Sequence, residues 1–239
     1  MRQLLEEQAV PSADAPGPDP DQPDAVRDLL RSLPALAGPF EPFDTDLVAG
    51  TPEGQFLRWL RGAVAAGVPE PHAMTLSTVD AEGLPDARVL LLKDVGTAGW
   101  CFATSRISAK GVQLAGRPGA ALTFYWPGLG RQVRVRGEVV DLGPEAAAAD
   151  FAARGRGARA LALAERQSQV LEREADLGVA LADAQSLIDA EPGVIAASWT
   201  LYAVQAETVE FWQADEERRH TRLQYVREGG GWSTRRLWP

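Results

Sequence analysis

The chain has 239 residues, 45% of them hydrophobic and 24% charged, with 33 acidic against 24 basic residues and a formal net charge of −9. That length and apolar content suffice for one substantial core, while the acidic balance argues against a general nucleic-acid binder, whose surface must be basic to displace counterions. No run approaches the roughly 18 consecutive apolar residues that span a bilayer, and the first residues, MRQLLEEQAVPSADAPGPDP, lack the apolar stretch of a secretory signal, so a soluble, cytoplasmic protein is expected.

Residues Val10 to Asp24 are rich in Pro, Asp and Ala and carry hardly any large apolar side chain, too little to offset the entropy of ordering them. Residues 1–50 are therefore expected to be mostly disordered or extended, with one short amphipathic helix over Asp24 to Leu33, and the folded domain to occupy 51–239. Thr51-Pro52-Glu53 reads as a helix start, with Thr51 as N-cap and Pro52 in the first turn; Phe56, Leu60, Ala63 and Val64 then recur at helical spacing, and the helix ends by Gly67. From Ala73 the period changes to alternation. HAMTLSTV, DARVLLLKDV, GWCFATS, AALTFYW and RQVRVRGEVVDL are five successive strand-like segments, interrupted by a helix over Ser108 to Ala115. Pro144 to Asp189 reads as two or three helices, and SWTLYAVQA, ETVEFWQ, TRLQYVRE and GWSTRRLW as closing strands. Consecutive strands with few intervening helices predict an α+β protein built on an antiparallel barrel with helices packed at one side.

Chemistry is bounded by what is scarce. His72, His220 and Cys101 are the whole complement of histidine and cysteine, so no zinc cluster and no HExxH helix is available; Cys101, among apolar neighbours, reads as a buried strand position. GxSxG, GxxxxGK[ST] and GxGxxG are all missing, which removes the usual entry points of α/β-hydrolases, P-loop NTPases and Rossmann dehydrogenases. Arginines nevertheless gather at Arg131/Arg134/Arg136, Arg154/Arg156/Arg159 and Arg218/Arg219/Arg222, which suits either a confined anionic ligand or solvated strand faces. In RQVRVRG, Val133 and Val135 share one face while Gln132, Arg134 and Arg136 share the other, a polar ligand surface or plain solvent.

ARVLLLKDV, FATSRISAKG, RQVRVRGEV, RQS and the final EFWQADEERRHTRLQYVREGGGWSTRRLWP, in that order and spacing, resemble the pyridoxamine 5′-phosphate oxidase family from about Phe56 to Pro239. The resemblance implies a homodimeric, antiparallel, FMN-binding split β-barrel with FMN in the subunit interface. Carried over residue by residue, it assigns to FMN the strand Arg88, Val89, Leu90, Leu91, Leu92 and Lys93, with Arg88 and Lys110 on the phosphate and Ser168 nearby. Ala103, Thr104, Gln132 and Gln167 would add contacts to the ring, and Trp212 and Arg222 would close the pocket from the other subunit. Substrate would meet Lys93, Asp150, Arg154, Ala158, Arg218 and His220, the last two orienting it for hydride transfer to flavin N5 and onward to O2 with release of H2O2. Three positions depart from the family pattern: Asp150 stands where a tyrosine is usual, Ala158 where a serine is, and Ala109 where an arginine is. The implied substrate is a phosphorylated B6 vitamer; the alternatives are a reduced aromatic metabolite, as in phenazine-forming relatives, and a flavin carrier without turnover. No nucleic acid, membrane or metal is implied as a partner.

Overall fold

A computed structural model describes residues 23–239. The amphipathic stretch forms helix α1 (Pro23–Ser32); the rest of the Pro/Asp/Ala-rich stretch, up to position 22, lies outside the described residues. The chain divides at Ala37/Gly38 into two units, and the larger, Gly38–Pro239, holds everything that follows. Its first helix, α2 (Pro52–Ala65), starts as the sequence predicts: Thr51 Oγ1 accepts a hydrogen bond from Gly54 N at 3.2 Å, and Pro52 occupies the first turn, where its missing N–H costs nothing. Phe56, Trp59 and Ala63, one helical face, are buried in the main core. Phe43 meets Trp59 edge-on with ring centroids 4.9 Å apart and Val48 packs on the same core, so residues 38–50 are part of this unit.

Nine strands follow among the described residues: β1 (Ala73–Val79), β2 (Pro85–Leu91), β3 (Asp94–Gly96), β4 (Gly99–Ser105), β5 (Gly119–Trp126), β6 (Arg131–Asp141), β7 (Trp199–Gln213), β8 (Thr221–Glu228) and β9 (Gly231–Arg236). Helix α3 (Ala109–Gly116) lies between β4 and β5, and α4 (Pro144–Ala152), α5 (Arg156–Leu163) and α6 (Glu174–Ala190) between β6 and β7. All pairings are antiparallel, in the order β2-β1-β5-β6-β7-β4-β3 with β8 and β9 added beside β7. The α+β antiparallel barrel is thus observed.

Two sequence-read segments are drawn differently. DARVLLLKDV is not one strand: it breaks at Leu92-Lys93, where Leu92 N donates to His72 O at 2.9 Å and Lys93 N to Cys101 O at 2.8 Å. Adjacent residues thereby bond to the two ends of the strand order, next to β1 and to β4, and the chain links the end strands β2 and β3 at this point of the curled sheet. Conversely, SWTLYAVQA and ETVEFWQ join in the single 15-residue strand β7, which pairs β4 along its first half and β8 along its second. The β6–β7 register shifts between Arg136 and Gly137, where β7 carries Glu207 as the extra, bulged residue, and Gly137 is required because a Cβ would fall 1.9 Å from Gln205 O.

Strand alternation places Leu76, Leu122, Phe124, Val133, Val135, Val209 and Phe211 inside with Phe56, whose ring lies 4.7 Å from that of Phe124. Phe56→Ala should lower folding stability by about 3–5 kcal/mol, seen as a drop in the urea midpoint. Cys101 is buried on β4 as expected, and burial pushes its thiol up. Among the described residues no helix is long and apolar enough to cross a membrane.

Candidate active site

The first group of site residues gathers at the start of α3. Ser108 caps this helix, its Oγ accepting from Gly111 N at 3.3 Å, and the same oxygen accepts from Lys110 Nζ at 3.2 Å. Gly111 permits the turn: a Cβ there would stand 2.4 Å from Arg106 O. Lys110 is only 6% exposed, and among the described residues its ammonium has Ser108 as its one hydrogen-bond partner and no carboxylate within ion-pair distance. Burial, and then the nearby charge of Arg88, hold its pKa down. Arg88, on β2, is anchored by Thr78 Oγ1 at 2.6 Å, Leu76 O at 3.3 Å, Gln113 Oε1 at 3.2 Å and the carboxylate of Asp86. Asp86 in turn accepts from Gln113 Nε2 at 3.1 Å, and that bond, then Arg88, holds its carboxyl below the usual range. The stability this contributes is present at neutral pH and is lost as pH falls below the ordinary value of 3.8. Ser168 arrives from the α5–α6 connection with a left-handed backbone, φ 73°, and its Oγ accepts from Ala109 N at 3.2 Å. A hydroxyl, a helix amino end and two cations are the kinds of group that can bind an anion.

The second group walls a cavity of about 540 Å³, sized for a small organic ligand. Val89, Leu90, Leu91 and Lys93 line it from β2 and its link to β3, Ala103 and Thr104 from β4, Gln167 from the connection and Arg154, Ala158 and Trp199 from the α4–α5 region and β7. Thr104 Oγ1 lies 3.4 Å from Gln167 Oε1. Leu92 does not line the cavity with its side chain, which is in the main core because the chain switches pairing partners there and turns it inward; its assignment concerned the backbone. Asp150 stands behind the cavity wall, with Oδ1 3.7 Å from Lys93 Nζ and Oδ2 accepting from Trp199 Nε1 at 2.9 Å. Arg154 stacks over the Trp199 ring with its guanidinium carbon 4.1 Å from the centroid. Of that arginine cluster only Arg154 faces the cavity; Arg156 pairs with Asp189 in the open and Arg159 donates to Pro192 O and Val194 O.

The third group is on the carboxy-terminal strands. Register places Gln132, Trp212 and Arg222 in one row across β6, β7 and β8. Trp212 is half-buried rather than core, and its ring lies 4.8 Å from that of His220. His220 Nδ1 accepts from Asp215 N at 3.1 Å, so the neutral imidazole carries its proton on Nε2, the nitrogen left for a ligand. Arg218 is exposed and left-handed at φ 63°. Sequence reading overlooked Glu210, a buried carboxylate that accepts from Arg222 Nε at 2.8 Å and lies 3.5 Å from Arg134 Nη1. It shares the strand face of Trp212 two residues on, which is the signal that could have found it. Trp199 and Gln113 were also overlooked; their roles come from long-range packing.

The first two groups meet, since Gln167 and Ser168 are neighbours and Arg88 adjoins Val89. Gln132, Trp212, Arg218, His220 and Arg222 do not line the cavity, and neither do Arg88 and Lys110. Trp199 and Trp212 stand at opposite ends of β7, about 40 Å apart along an extended strand. Among the described residues no three His, Cys, Asp or Glu side chains are placed to hold a metal ion.

The chain matches two family profiles, one described as pyridoxamine 5′-phosphate oxidase over residues 60–187 and one as the pyridoxine 5′-phosphate oxidase C-terminal dimerisation region over residues 199–239. It is 42% identical over 197 residues to the pyridoxine/pyridoxamine 5′-phosphate oxidase of Paraburkholderia phymatum, covering 82% of this chain and 92% of that one. To the enzyme of the same description from Pseudomonas fluorescens it is 40% identical over 220 residues, covering 90% and 97%. A crystal structure of PhzG from Burkholderia lata, in complex with tetrahydrophenazine-1-carboxylic acid, superimposes with a TM-score of 0.77 at 28% identity, covering 84% of this chain and all of that one. By a profile that spans more than half of its residues, and by relatives at about 40% identity along four fifths of it or more, the chain belongs to the pyridoxamine 5′-phosphate oxidase family.

Proposed function

We propose that the protein is an FMN-dependent oxidase that works as a homodimer. The observation that carries this reading is Lys110, a buried ammonium beside Arg88 at the start of α3, with one hydroxyl as its hydrogen-bond partner among the described residues and Asp86 beyond ion-pair distance. An unbalanced buried cation is costly unless an anion joins it. A mononucleotide phosphate fits that seat, and the adjoining cavity, with exposed Val89 and Leu91 and the polar Thr104 and Gln167, fits a flat ring with polar edges. FMN, when bound, supplies the redox chemistry, taking a hydride from a substrate carbon and returning the electrons to O2 as H2O2.

The protein's own part is placement. Arg88, Lys110 and Ser168 hold the phosphate; the Val89–Leu91 stretch, Ala103, Thr104 and Gln167 wall the ring. Gln132, Trp212 and Arg222 stand too far along β7 to join them within one chain, and the match of residues 199–239 to a dimerisation region supports their delivery by a second copy. Arg218 and His220 would arrive with them, His220 Nε2 donating to the substrate or carrying a proton, while Lys93 and Arg154 hold its anionic end.

Two substrate classes remain. Relatives described as pyridoxine/pyridoxamine 5′-phosphate oxidases favour a phosphorylated B6 vitamer. The Asp150–Lys93 pair, together with the PhzG neighbour and its bound acid, favours oxidation of a reduced aromatic ring. The test is peroxide formation by the FMN-loaded protein under air, first with pyridoxine 5′-phosphate and then with a dihydroaromatic carboxylic acid. Peroxide from one or the other is expected; FMN-loaded protein that forms none from either would contradict an oxidase.

A further inference from the structure

The substrate end of the cavity carries a negative charge of its own. Asp150 has a side chain only 11% exposed, and both of its oxygens are engaged, Oδ1 by Lys93 Nζ at 3.7 Å and Oδ2 by Trp199 Nε1 at 2.9 Å. The indole belongs to β7, so the carboxylate is fixed in place rather than free to swing away. Lys93 is thereby neutralised from within the protein. Arg154 is stacked over the ring of the same indole and has no carboxylate in ion-pair range among the described residues; its Nε is buried with no hydrogen-bond partner, and Arg166 also lines the cavity. Ala158 brings no hydroxyl, only a carbonyl 3.4 Å from Arg154 Nη2. Glu165 and Glu172 add further negative charge to the lining.

We propose that this end of the cavity takes a monoanionic carboxylate on Arg154 and discriminates against a phosphate monoester dianion, with Asp150 as the specificity-determining residue. The proposal rests on reading the cavity as the substrate site of a flavin oxidase. Arg154 can balance one ligand charge, while Asp150, Glu165 and Glu172 oppose a second one at this end. A dianion would bring a second charge to face Asp150 where little water screens it, and like charges at a few ångströms in such a site repel strongly. A carboxylate also matches the planar guanidinium fork, which indole stacking holds in a single orientation. Leu161, Val170 and Leu171 give the attached ring an apolar bed.

Benzoate and phenyl phosphate are a matched pair of probes, the second a dianion at about pH 8 because its second pKa is about 6. Titrated by calorimetry into FMN-loaded protein, benzoate should bind at least about tenfold tighter than phenyl phosphate. Asp150→Asn keeps an acceptor for the Trp199 indole; it should strengthen phenyl phosphate by about tenfold or more while changing benzoate less than about threefold. Arg154→Ala should abolish benzoate binding. Tighter phenyl phosphate in the wild type, no binding of either probe, or a carboxylate-to-phosphate ratio unmoved by Asp150→Asn would overturn the proposal. FMN binding is read separately by absorbance. If FMN fails to bind, the oxidase reading falls, and the same titrations of the FMN-free protein still decide the role of Asp150.

Discussion

Arg88→Ala/Lys110→Ala should weaken FMN binding by about 10²–10⁴-fold, read as the loss of flavin fluorescence quenching on titration. Charge-assisted hydrogen bonds are worth about 1.5–3 kcal/mol each, and the phosphate seat loses both of its cations. The two residues should separate in what else they do. Arg88 ties together Thr78, Leu76, Asp86 and Gln113, so Arg88→Ala also loosens the junction between β1, β2 and α3. Lys110 is a burden on the FMN-free fold, since burial depresses its pKa. Lys110→Met keeps the stem and removes the charge. It should bind FMN poorly yet unfold at the same or a higher temperature than the wild type without FMN. The sign with pH follows: the unfolded chain holds this proton more tightly than the folded one. The wild type should therefore gain stability relative to Lys110→Met as pH rises from the depressed folded pKa to the ordinary 10.5. A Lys110→Met protein that loses stability without FMN, with its affinity intact, would make Lys110 a structural residue.

Mixing two damaged chains should restore flavin sites that neither chain has alone. If Lys110 of one copy and Arg222 of the other complete each site, Lys110→Met and Arg222→Met homodimers are both defective at every site. In a co-refolded mixture about half the dimers pair one chain of each kind, and each of these holds one site with both lesions and one with none. About a quarter of all sites should then bind FMN with wild-type affinity. Recovery of none would place Arg222 outside the flavin site or within the same chain as Lys110. Arg222 is suited to such a role because Glu210 fixes it, accepting from its Nε at 2.8 Å, and Trp238 O accepts from its Nη1 at 3.0 Å.

Much of the fold could be read from local chemistry. Thr51-Pro52 announced α2 because a cap needs only its own three or four residues. The alternation from Gln132 to Arg136 gave the buried and polar faces of β6 because side chains on a strand must alternate. What escaped depended on partners distant in sequence. Leu92 and Lys93 look like the middle of a strand, and nothing in their identity says that one N–H will serve His72 and the next Cys101. SWTLYAVQA and ETVEFWQ read as two strands meeting at Ala206/Glu207, yet β7 runs through because β4 and β8 take different halves of the same strand. In the candidate site, Arg88, Lys110 and Gln167 are named through the family resemblance. Asp86 and Gln113 behind Arg88, Trp199 between Asp150 and Arg154, and Glu210 behind Arg222 could not be named, since each acts through a side-chain contact that only the folded chain creates.

The departures from the family pattern also change meaning once folded. Asp150 read in sequence is a carboxylate where a phosphate-binding tyrosine is usual; in the structure it is already satisfied by Lys93 and Trp199. Ala109 lacks a cation, but its backbone N–H meets Ser168 Oγ at 3.2 Å beside Lys110, so the phosphate seat keeps its helix end and hydroxyl.

The most direct test is an equilibrium titration of the purified wild-type protein with FMN, followed by flavin fluorescence and by absorbance after removal of unbound ligand. A yellow protein that saturates at about one FMN per chain, and that is a dimer by light scattering, is what a phosphate seat at Lys110 and a site shared between two copies require. A colourless protein whose added FMN stays fully fluorescent would contradict them.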